Sequence, residues 1–467
     1  MRPKYHLKPW ELAWQHKLRD WKESRFGLKL IQRIPGNLKN QIPYEAIPFW
    51  IASVLVGLIS VGYEKLFEWA ETASIKVFES NPYLIFVTAP VFMFLSWYLV
   101  QRYERNATGS GIPQLMASVS MAGTKNGLLV DKLLNLKIIV VKILSSLVML
   151  LGGGAIGREG PMLQISGSIF ETVYRLVPEN WPKVSQKVML ITGGASGLAA
   201  AFNTPLGGIV YVVEGLTKSH IGKFRTAVFG AVIISGLTAQ LFLGSYLFLG
   251  FPKIDKLPLL GLFWVAGFAF ISGYLGSIFT KGISEVAKLR SKVKKGSHRI
   301  LFVLGLSLLF ATLVFFTGSF TMGTGKHLIN EVLFTSKDLP WFTFPARVLG
   351  SSFSFCIGGA GGVFSACLAS GAALGHLLVN TLGLDQDTHN LMVLVCMIGF
   401  LTGVTRTPFT AAILVLEMTD RHSAIFYFLL AGMVANVAAN LISTHSFYTQ
   451  KETEILKDLG VRVRSKT

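Results

Sequence analysis

The sequence predicts an all-α protein that crosses a membrane several times. Of its 467 residues, 51% are hydrophobic and 15% are charged, and the mean hydropathy is +0.52. A soluble chain of this length would need far more polar surface. Several apolar stretches approach the roughly 20 residues that a helix needs to cross a bilayer, and Gly or Pro interrupts others, which predicts tilted and broken helices. The apolar stretches are residues 45–63, 84–100, 138–156, 227–250, 258–279, 300–317, 388–404 and 424–442.

Positive charge is concentrated outside the apolar stretches. The net charge is +19, and residues 1–42 hold ten Lys and Arg against three Asp and Glu. A second basic block covers residues 281–299. This distribution is typical of the positive-inside rule, so we expect both blocks and both chain termini to face the cytoplasm. No nucleic-acid motif accompanies the charge, which disfavours a nucleic-acid partner.

The basic N-terminal segment lacks the early apolar run of a cleavable signal peptide. Trp10, Trp14 and Trp21 are spaced among its basic residues. This pattern fits an amphipathic helix that lies on the cytoplasmic face of the membrane. A loosely ordered basic tail is the alternative.

Two pairs of segments indicate that the chain contains duplicated halves. FNTPLGGIVYVVE (202–214) resembles TRTPFTAAILVLE (405–417) at an offset of 203, and GREGPMLQISG (157–167) resembles GVFSACLASGA (362–372) at an offset of 205. With an odd number of spans in each half, the halves would be inverted, as in transporters that build a binding site from broken helix ends. The predicted divisions are a basic N-terminal segment 1–42, a first half 43–280, a basic linker 281–299, a second half 300–450 and a short tail 451–467.

Three glycine-rich segments predict helices that begin at membrane depth: GSGIPQ (109–114), GREGP (157–161) and GGVFS (361–365). Glycine allows sharp backbone turns, and the prolines of the first two segments suit a first helical turn. The first N–H groups of a helix have no intrahelical partner and carry partial positive charge, so several such ends together would bind an anion. The alternative is that the glycines only permit close helix packing. A phosphate-binding P-loop is disfavoured because no Gly-Lys-Ser/Thr follows.

Glu159 is the ionisable residue that most strongly suggests a function. A carboxylate at membrane depth is energetically expensive and marks a functional site by default. At a helix N-terminus it is itself an anion in an anion site, so it would compete with a transported ion until it moved or became protonated. The structural alternative is a static ion pair between Arg158 and Glu159. Their adjacency disfavours it, because neighbouring helical residues do not face each other.

GSGIP, GREGP, GGVF and a late tyrosine, in this order, resemble the CLC family of chloride channels and chloride/proton antiporters. The resemblance runs from about residue 45 to residue 450. The sequence resembles the short, prokaryotic form of the family without CBS domains, since only residues 451–467 follow the last motif. It implies a CLC-like inverted repeat, a homodimer with one pore per subunit in a bacterial inner membrane, and chloride as the transported ion. No cofactor is implied.

The resemblance also implies roles for residues of this sequence. Glu159 would be the gating glutamate, and Glu159 and Glu214 would belong to a proton pathway. The serine of GSGIP resembles that of chloride-preferring members. The residues implied to bind chloride are Ser110 and Tyr448 through their hydroxyls, and Gly160, Val363 and Phe364 through nearby backbone amides.

Two positions depart from the family's pattern. Ala366 stands where a proline is usual, so the helix there is expected to begin differently. Gly215 stands where antiporters have the second of two consecutive glutamates, the internal proton acceptor, and Glu214 matches the first. Because glycine carries no proton, we hypothesise passive chloride conduction gated by Glu159. The alternative is a chloride/proton antiporter in which Glu214 or water replaces the missing group.

Other classes fit the sequence less well. The nine histidines are scattered and form no HExxH-type pair, and no nucleophile or metal constellation suggests an enzyme. The three cysteines lie in apolar sequence without metal-ligand spacing, so we expect packing residues and no bound metal. An inverted-repeat secondary transporter for another anion remains a further alternative. The cysteines are Cys356, Cys367 and Cys396.

Overall fold

The computed structural model describes residues 44–178, 181, 184–216, 225–244, 247–254, 261–293, 295–335, 339–384 and 386–461. The basic N-terminal segment 1–42 and its predicted interface helix lie outside these residues. The described residues form α-helices and a few short helical turns and contain no β-strand, only isolated backbone bridges. The predicted all-α fold class is therefore confirmed.

Two helices of the first half begin within the Gly- and Pro-rich segments 109–114 and 157–161, as predicted. Pro stands in the first turn of several of them, where its missing N–H costs no intrahelical hydrogen bond. A π-helical turn, Val212–Leu216, directly follows the short helix Pro205–Tyr211. The helices are α1 Ile47–Ser80, α2 Ile85–Tyr103, α3 Ile112–Met121, α4 Val130–Leu133, α5 Leu136–Leu151, α6 Glu159–Leu176, α7 Gln186–Phe202, α8 Pro205–Tyr211 and α9 Arg225–Leu243.

The second half repeats the alternation of long and short helices. The first of these helices begins at Gly261, inside the predicted first half 43–280, and ends in the predicted basic linker 281–299, where the second helix begins. The division predicted at residue 280 therefore falls within a helix. The helices are α10 Gly261–Lys292, α11 Gly296–Thr317, α12 Lys326–Phe334, α13 Thr343–Ile357, α14 Phe364–Leu382, α15 Gln386–Thr405, α16 Pro408–Thr419, α17 Ile425–Asn440 and α18 Phe447–Asp458.

The helices have the lengths and composition of a membrane protein. Within the described residues, nine helices are long and apolar enough to cross a bilayer. In contrast, α8 and α16 are apolar but contain only seven and 12 residues. Both are too short for the roughly 20 residues that a span needs. The prediction of a polytopic protein that combines full spans with broken helices is confirmed.

Each half is built around one central helix with corresponding neighbours. In the first half α7 packs against α1, α6 and α9, and in the second half α15 packs against α10, α14 and α17. Small residues bring the backbones of α10 and α15 together, since a Cβ on Gly403 would lie 3.0 Å from the Cα of Gly276. Lipid is as apolar as the helix side chains, so helices in a membrane associate through close packing of this kind.

One backbone contact joins equivalent residues of the two halves. Gly157 and Gly362 form an isolated antiparallel bridge, with N···O distances of 2.7 and 2.8 Å in the two directions. These residues are separated by 205 positions, the offset of the repeated segments that contain them. Because a residue here pairs with its own counterpart and the two strands of chain run in opposite directions, the contact has the geometry of an inverted repeat.

A second pair of equivalent contacts joins the short helices α8 and α16. The Glu214 carboxylate, just after α8, accepts backbone hydrogen bonds from residues 409 and 410 at 3.1 and 2.7 Å. The Glu417 carboxylate, near the end of α16, accepts them from residues 206 and 207 at 3.0 and 2.6 Å. Each carboxylate therefore satisfies the free N–H groups at the start of the other half's helix and complements its dipole.

Candidate anion pathway

A helix begins within each of the three glycine-rich segments, as predicted. α3 begins at Ile112, α6 at Glu159 and α14 at Phe364. The expectation that α14 begins differently is wrong. Its first residue is the counterpart of Glu159 at an offset of 205, and Ala366 takes the third helical position, as Pro161 does in α6. This helix therefore begins without a proline in its first turn. The alanine at that position also favours a helix.

Backbone hydrogen bonds tie the three segments to one another. The Gly109 N–H donates to the Gly359 carbonyl at 2.8 Å, and the Gly361 N–H donates to the Gly109 carbonyl at 3.1 Å. The Gly157–Gly362 bridge joins the second and third segments. These irregular stretches are buried, and pairing among them satisfies polar groups that lipid could not satisfy.

The start of α6 lies directly against the other two segments. A Cβ built on Gly160 would collide with the Ser110 hydroxyl, and it would lie 3.0 Å from the Ser110 carbonyl and 3.2 Å from the Gly362 Cα. The first hydrogen bond inside α6 runs from Met162 to Arg158, so the N–H groups before it have no intrahelical partner. The positive ends of α6 and α14 therefore meet beside Ser110.

Four buried polar atoms at this meeting point have no hydrogen-bond partner among the described residues. Ser110 and Tyr448 are neighbours, and Glu159 lies next to Ser365. A buried polar atom without a partner costs free energy, so the three hydroxyls of this cluster suit a ligand that accepts hydrogen bonds. The atoms are Ser110 Oγ, Glu159 Oε2, Ser365 Oγ and Tyr448 Oη.

Arg158 has its short ion pair with a residue far away in the sequence. Its Nη2 lies 2.6 Å from Oε1 of Glu64, in the middle of α1, and 3.2 Å from the Ala201 carbonyl. Its Nε is 4.0 Å from Oε1 of Glu159. The alternative was a static ion pair between Arg158 and Glu159. This contact is present, but it is the longer of the two that Arg158 makes with carboxylates. Of its two carboxylate neighbours, Arg158 thus binds Glu64 more closely than Glu159.

A buried lysine lies on the other side of Ser110. Lys142, in α5, is completely buried and donates to the Ala107 and Gly109 carbonyls at 3.1 and 2.9 Å and to Gln164 Oε1 at 2.7 Å. Its hydrogen-bond partners in the described chain are thus neutral acceptors. These hydrogen bonds tie the Gly109–Ser110 backbone to α5 and α6.

The space beside Gly215, where a side chain would lie, is filled by the ring of Tyr211. A Cβ on Gly215 would lie 2.7 Å from Cε2 and 2.9 Å from Cδ2 of Tyr211, so the tyrosine ring occupies the position of a side chain there. The π-helical turn that contains Gly215 is of a kind often found at functional sites. Tyr211 is buried and belongs to the electrostatic surroundings of Tyr448.

Residues 92–440 match the family model described as voltage-gated chloride channel. This match covers well over half of the sequence. The chain belongs to the CLC family. The resemblance carried by GSGIP and GREGP is confirmed, and CLC proteins are anion transporters of the membrane, which agrees with the apolar helices described above.

Three solved CLC structures share the fold. A slow cyanobacterial Cl⁻/H⁺ antiporter is 20% identical, with a TM-score of 0.76 over 90% of this chain and 99% of that chain. A CLC-type fluoride/proton antiporter is 20% identical, with a TM-score of 0.72 over 87% of this chain and 97% of that chain. A eukaryotic CLC transporter is 19% identical, with a TM-score of 0.72 over 91% of this chain and 76% of that chain.

The fold brings most of the residues predicted for the site together and separates one of them. Ser110, Glu159 and Gly160 lie at the meeting point of the helix starts, where Val363 and Phe364 begin α14. Tyr448 reaches Ser110 from α18. Glu214, in contrast, binds the first turn of α16. Sequence reasoning missed Glu64, Lys142 and Ser365, although a lysine within the apolar stretch 138–156 is itself a signal.

Proposed function

We propose that the protein conducts chloride passively across the membrane and that Glu159 gates the pathway. The observation that carries the proposal is the cluster of buried, unpartnered polar atoms at the converging starts of α6 and α14. Three of these atoms are hydroxyls, which donate hydrogen bonds to an anion, and the helix ends add positive potential. The chloride ligands would be the Ser110 and Tyr448 hydroxyls and the backbone amides near Gly160, Val363 and Phe364.

Glu159 would close the pathway by competing for the same donors. Its carboxylate is 1% exposed, and Glu64 rather than Glu159 makes the short ion pair with Arg158. In its charged form the carboxylate would occupy an anion position next to Ser365. In its protonated form it would lose that competition and leave the position to chloride.

Weak or absent proton coupling follows from the surroundings of Gly215. The glycine carries no titratable group, and the Tyr211 ring fills the space beside it. The preceding carboxylate, Glu214, is bound to the backbone of residues 409 and 410, which supports a structural role at the α8–α16 contact. A proton crossing from this side would have to be carried by Glu214 or by water.

A chloride/proton antiporter is the second candidate. It is favoured by the fact that two of the similar solved structures are described as proton antiporters, one for chloride and one for fluoride. Their identity to this chain is 20%, so the likeness concerns the fold. A secondary transporter for another anion is the remaining alternative.

The direction of proton movement separates a channel from an antiporter. We expect liposomes with purified protein and an outward chloride gradient to release chloride without driving protons uphill, because Gly215 carries no titratable group. Chloride release and internal pH are recorded together with a chloride electrode and a pH-sensitive dye. Uphill proton movement that stops when chloride is equal on both sides would establish the antiporter instead.

We also infer that the protein is a homodimer with one pathway per subunit, in a bacterial inner membrane with cytoplasmic termini. The short helices α8 and α16 expose Leu206 and Phe409 by 54 and 49%, and the π-helical turn after α8 exposes Val213 by 60%. Helices too short to span a bilayer leave their ends at membrane depth, so a covering subunit would bury this apolar surface. Both basic blocks would lie on the cytoplasmic side, where the positive-inside rule places loops rich in Lys and Arg.

A tryptophan in the proposed dimer surface tests the assembly. We expect light scattering in detergent to give about twice the chain mass of 51.1 kDa for the wild type and one chain mass for Leu206→Trp. The larger ring fits against detergent but not against a closely packed partner subunit. The control is Leu301→Trp, at a 68% exposed position of α11, which should remain a dimer. A dimeric Leu206→Trp protein would place the interface elsewhere.

A further inference from the structure

A cavity of about 330 Å³ opens beneath Ser110, on the side of the molecule where α10 ends and α18 lies. Gly109 and Ser110 form its inner end, next to the unpartnered hydroxyl of the anion site. Its volume is an order of magnitude larger than a single chloride ion needs, so an ion entering here would keep part of its water shell. The cavity therefore provides access between solvent and the site.

Three basic side chains line this cavity, and they differ in how far their charge is compensated. Lys451 pairs with Glu454 at 2.7 Å, which also lines the cavity. Arg105 is exposed, where water and salt screen it. Arg290 is only partly exposed and donates to the Cys356 carbonyl at 3.0 Å. In the described part of the chain it forms no ion pair with a carboxylate.

The position of Arg290 explains why its charge faces the cavity. Its guanidinium lies over Gly358, the left-handed residue (φ +90°) that ends α13, and a Cβ at Gly358 would collide with it. There it binds one carbonyl at the negative end of α13. A guanidinium has five N–H donors in a fixed plane, so the bond to Cys356 leaves others for a ligand.

We propose that Arg290 is the anion-recruiting residue of this inner cavity, where it holds a partly hydrated halide before the ion moves to Ser110. This inference rests on the proposed function, because it assigns a residue to one end of the same pathway. The charge of Arg290 raises the local chloride concentration, most strongly when salt is dilute. Arg290 thus sets the rate at low chloride and has little influence when chloride is plentiful.

The test is isotopic chloride exchange at equal chloride on both sides of liposomes, measured at about 10 mM and about 1 M, where the Debye length falls from about 30 Å to about 3 Å. We expect Arg290→Gln to exchange about threefold more slowly than the wild type at low chloride and equally fast at high chloride. Glutamine keeps a donor for the Cys356 carbonyl. The ratio of the two rates within one preparation does not depend on how much protein is correctly folded.

Arg290→Lys and Lys288→Gln complete the comparison. Arg290→Lys keeps the charge and should restore the wild-type ratio. Lys288→Gln removes a positive charge two residues earlier on α10, from an exposed lysine paired with Glu285 outside the cavity, and should leave the ratio unchanged. An Arg290→Gln ratio equal to that of the wild type would overturn the proposal. The proposal would also be overturned if Arg290→Lys exchanged chloride as slowly as Arg290→Gln at both concentrations. That result would mean that Arg290 acts only as a cap of α13. Wild-type protein without chloride exchange would overturn the proposed function as well.

Discussion

Replacing Gly160 by alanine is expected to slow chloride exchange by roughly tenfold or more while the protein still folds. The new methyl group would overlap the Ser110 hydroxyl and lie 3.0 Å from the Ser110 carbonyl. The Ser110 carbonyl is held by the backbone bridges at Gly109 and at Gly157, so the Ser110 hydroxyl would have to rotate out of its place. Overpacking of this kind costs about 1–3 kcal/mol, and 1.4 kcal/mol corresponds to about a factor of ten in rate or affinity.

The measurement is isotopic chloride exchange by reconstituted protein, with the midpoint of thermal unfolding as a check of folding. Gly62→Ala is the matched control, because Gly62 is also a helical glycine but a Cβ there meets nothing within 4 Å. Its exchange rate should equal that of the wild type, and its stability should be unchanged or slightly higher, since alanine favours a helix. Exchange by Gly160→Ala within twofold of the wild type would show that the contact with Ser110 is not part of the pathway.

Replacing Glu159 by glutamine is expected to give fast chloride exchange at every pH. Glutamine has the shape of the protonated side chain and cannot become an anion, so it cannot compete with chloride for the helix ends. In the wild type, exchange should accelerate as the pH falls from about 7.5 to about 4.5, because protonation removes the competing charge. In Glu159→Gln the same pH change should alter the rate by less than about twofold.

Glu171→Gln is the control for this experiment. Glu171 is a buried carboxylate on the same helix as Glu159, but it binds Arg175 at 2.8 Å and Gln186 at 3.0 Å, away from the helix start. Its pH profile should follow the wild type. A Glu159→Gln profile as steep as that of the wild type would assign the pH dependence to another group and remove Glu159 from the gate.

The sequence predicted the parts of the site that depend on local chemistry. Glycine and proline at 109–114 and 157–161 indicated helix starts because those residues favour turns and first helical turns wherever they occur. The repeated spacing of Glu214 and Glu417 revealed the duplication. Their reciprocal hydrogen bonds to α16 and α8 could not be predicted, because those depend on how the halves face each other.

The missed residues share one property, which is that their partners are distant in the sequence. Glu64 lies 94 residues before Arg158, and nothing near it in α1 indicates a buried arginine. In the sequence, Arg290 is only one member of the basic block 281–299, which was predicted to be a cytoplasmic linker. Only the fold shows that its side chain lies against the end of α13, beside the cavity, while Lys288 points to solvent.

The Gly157–Gly362 bridge has a consequence for how such a chain arose. Each residue contacts its own counterpart, so the same pair of hydrogen bonds would form between two separate copies of a half-length protein related by a two-fold axis. The contact uses only backbone atoms, and therefore survives any divergence of side chains that keeps both positions small. Fusion of two such copies would free Glu159 and its counterpart Phe364 to become different, one charged and one apolar, on opposite sides of a shared axis.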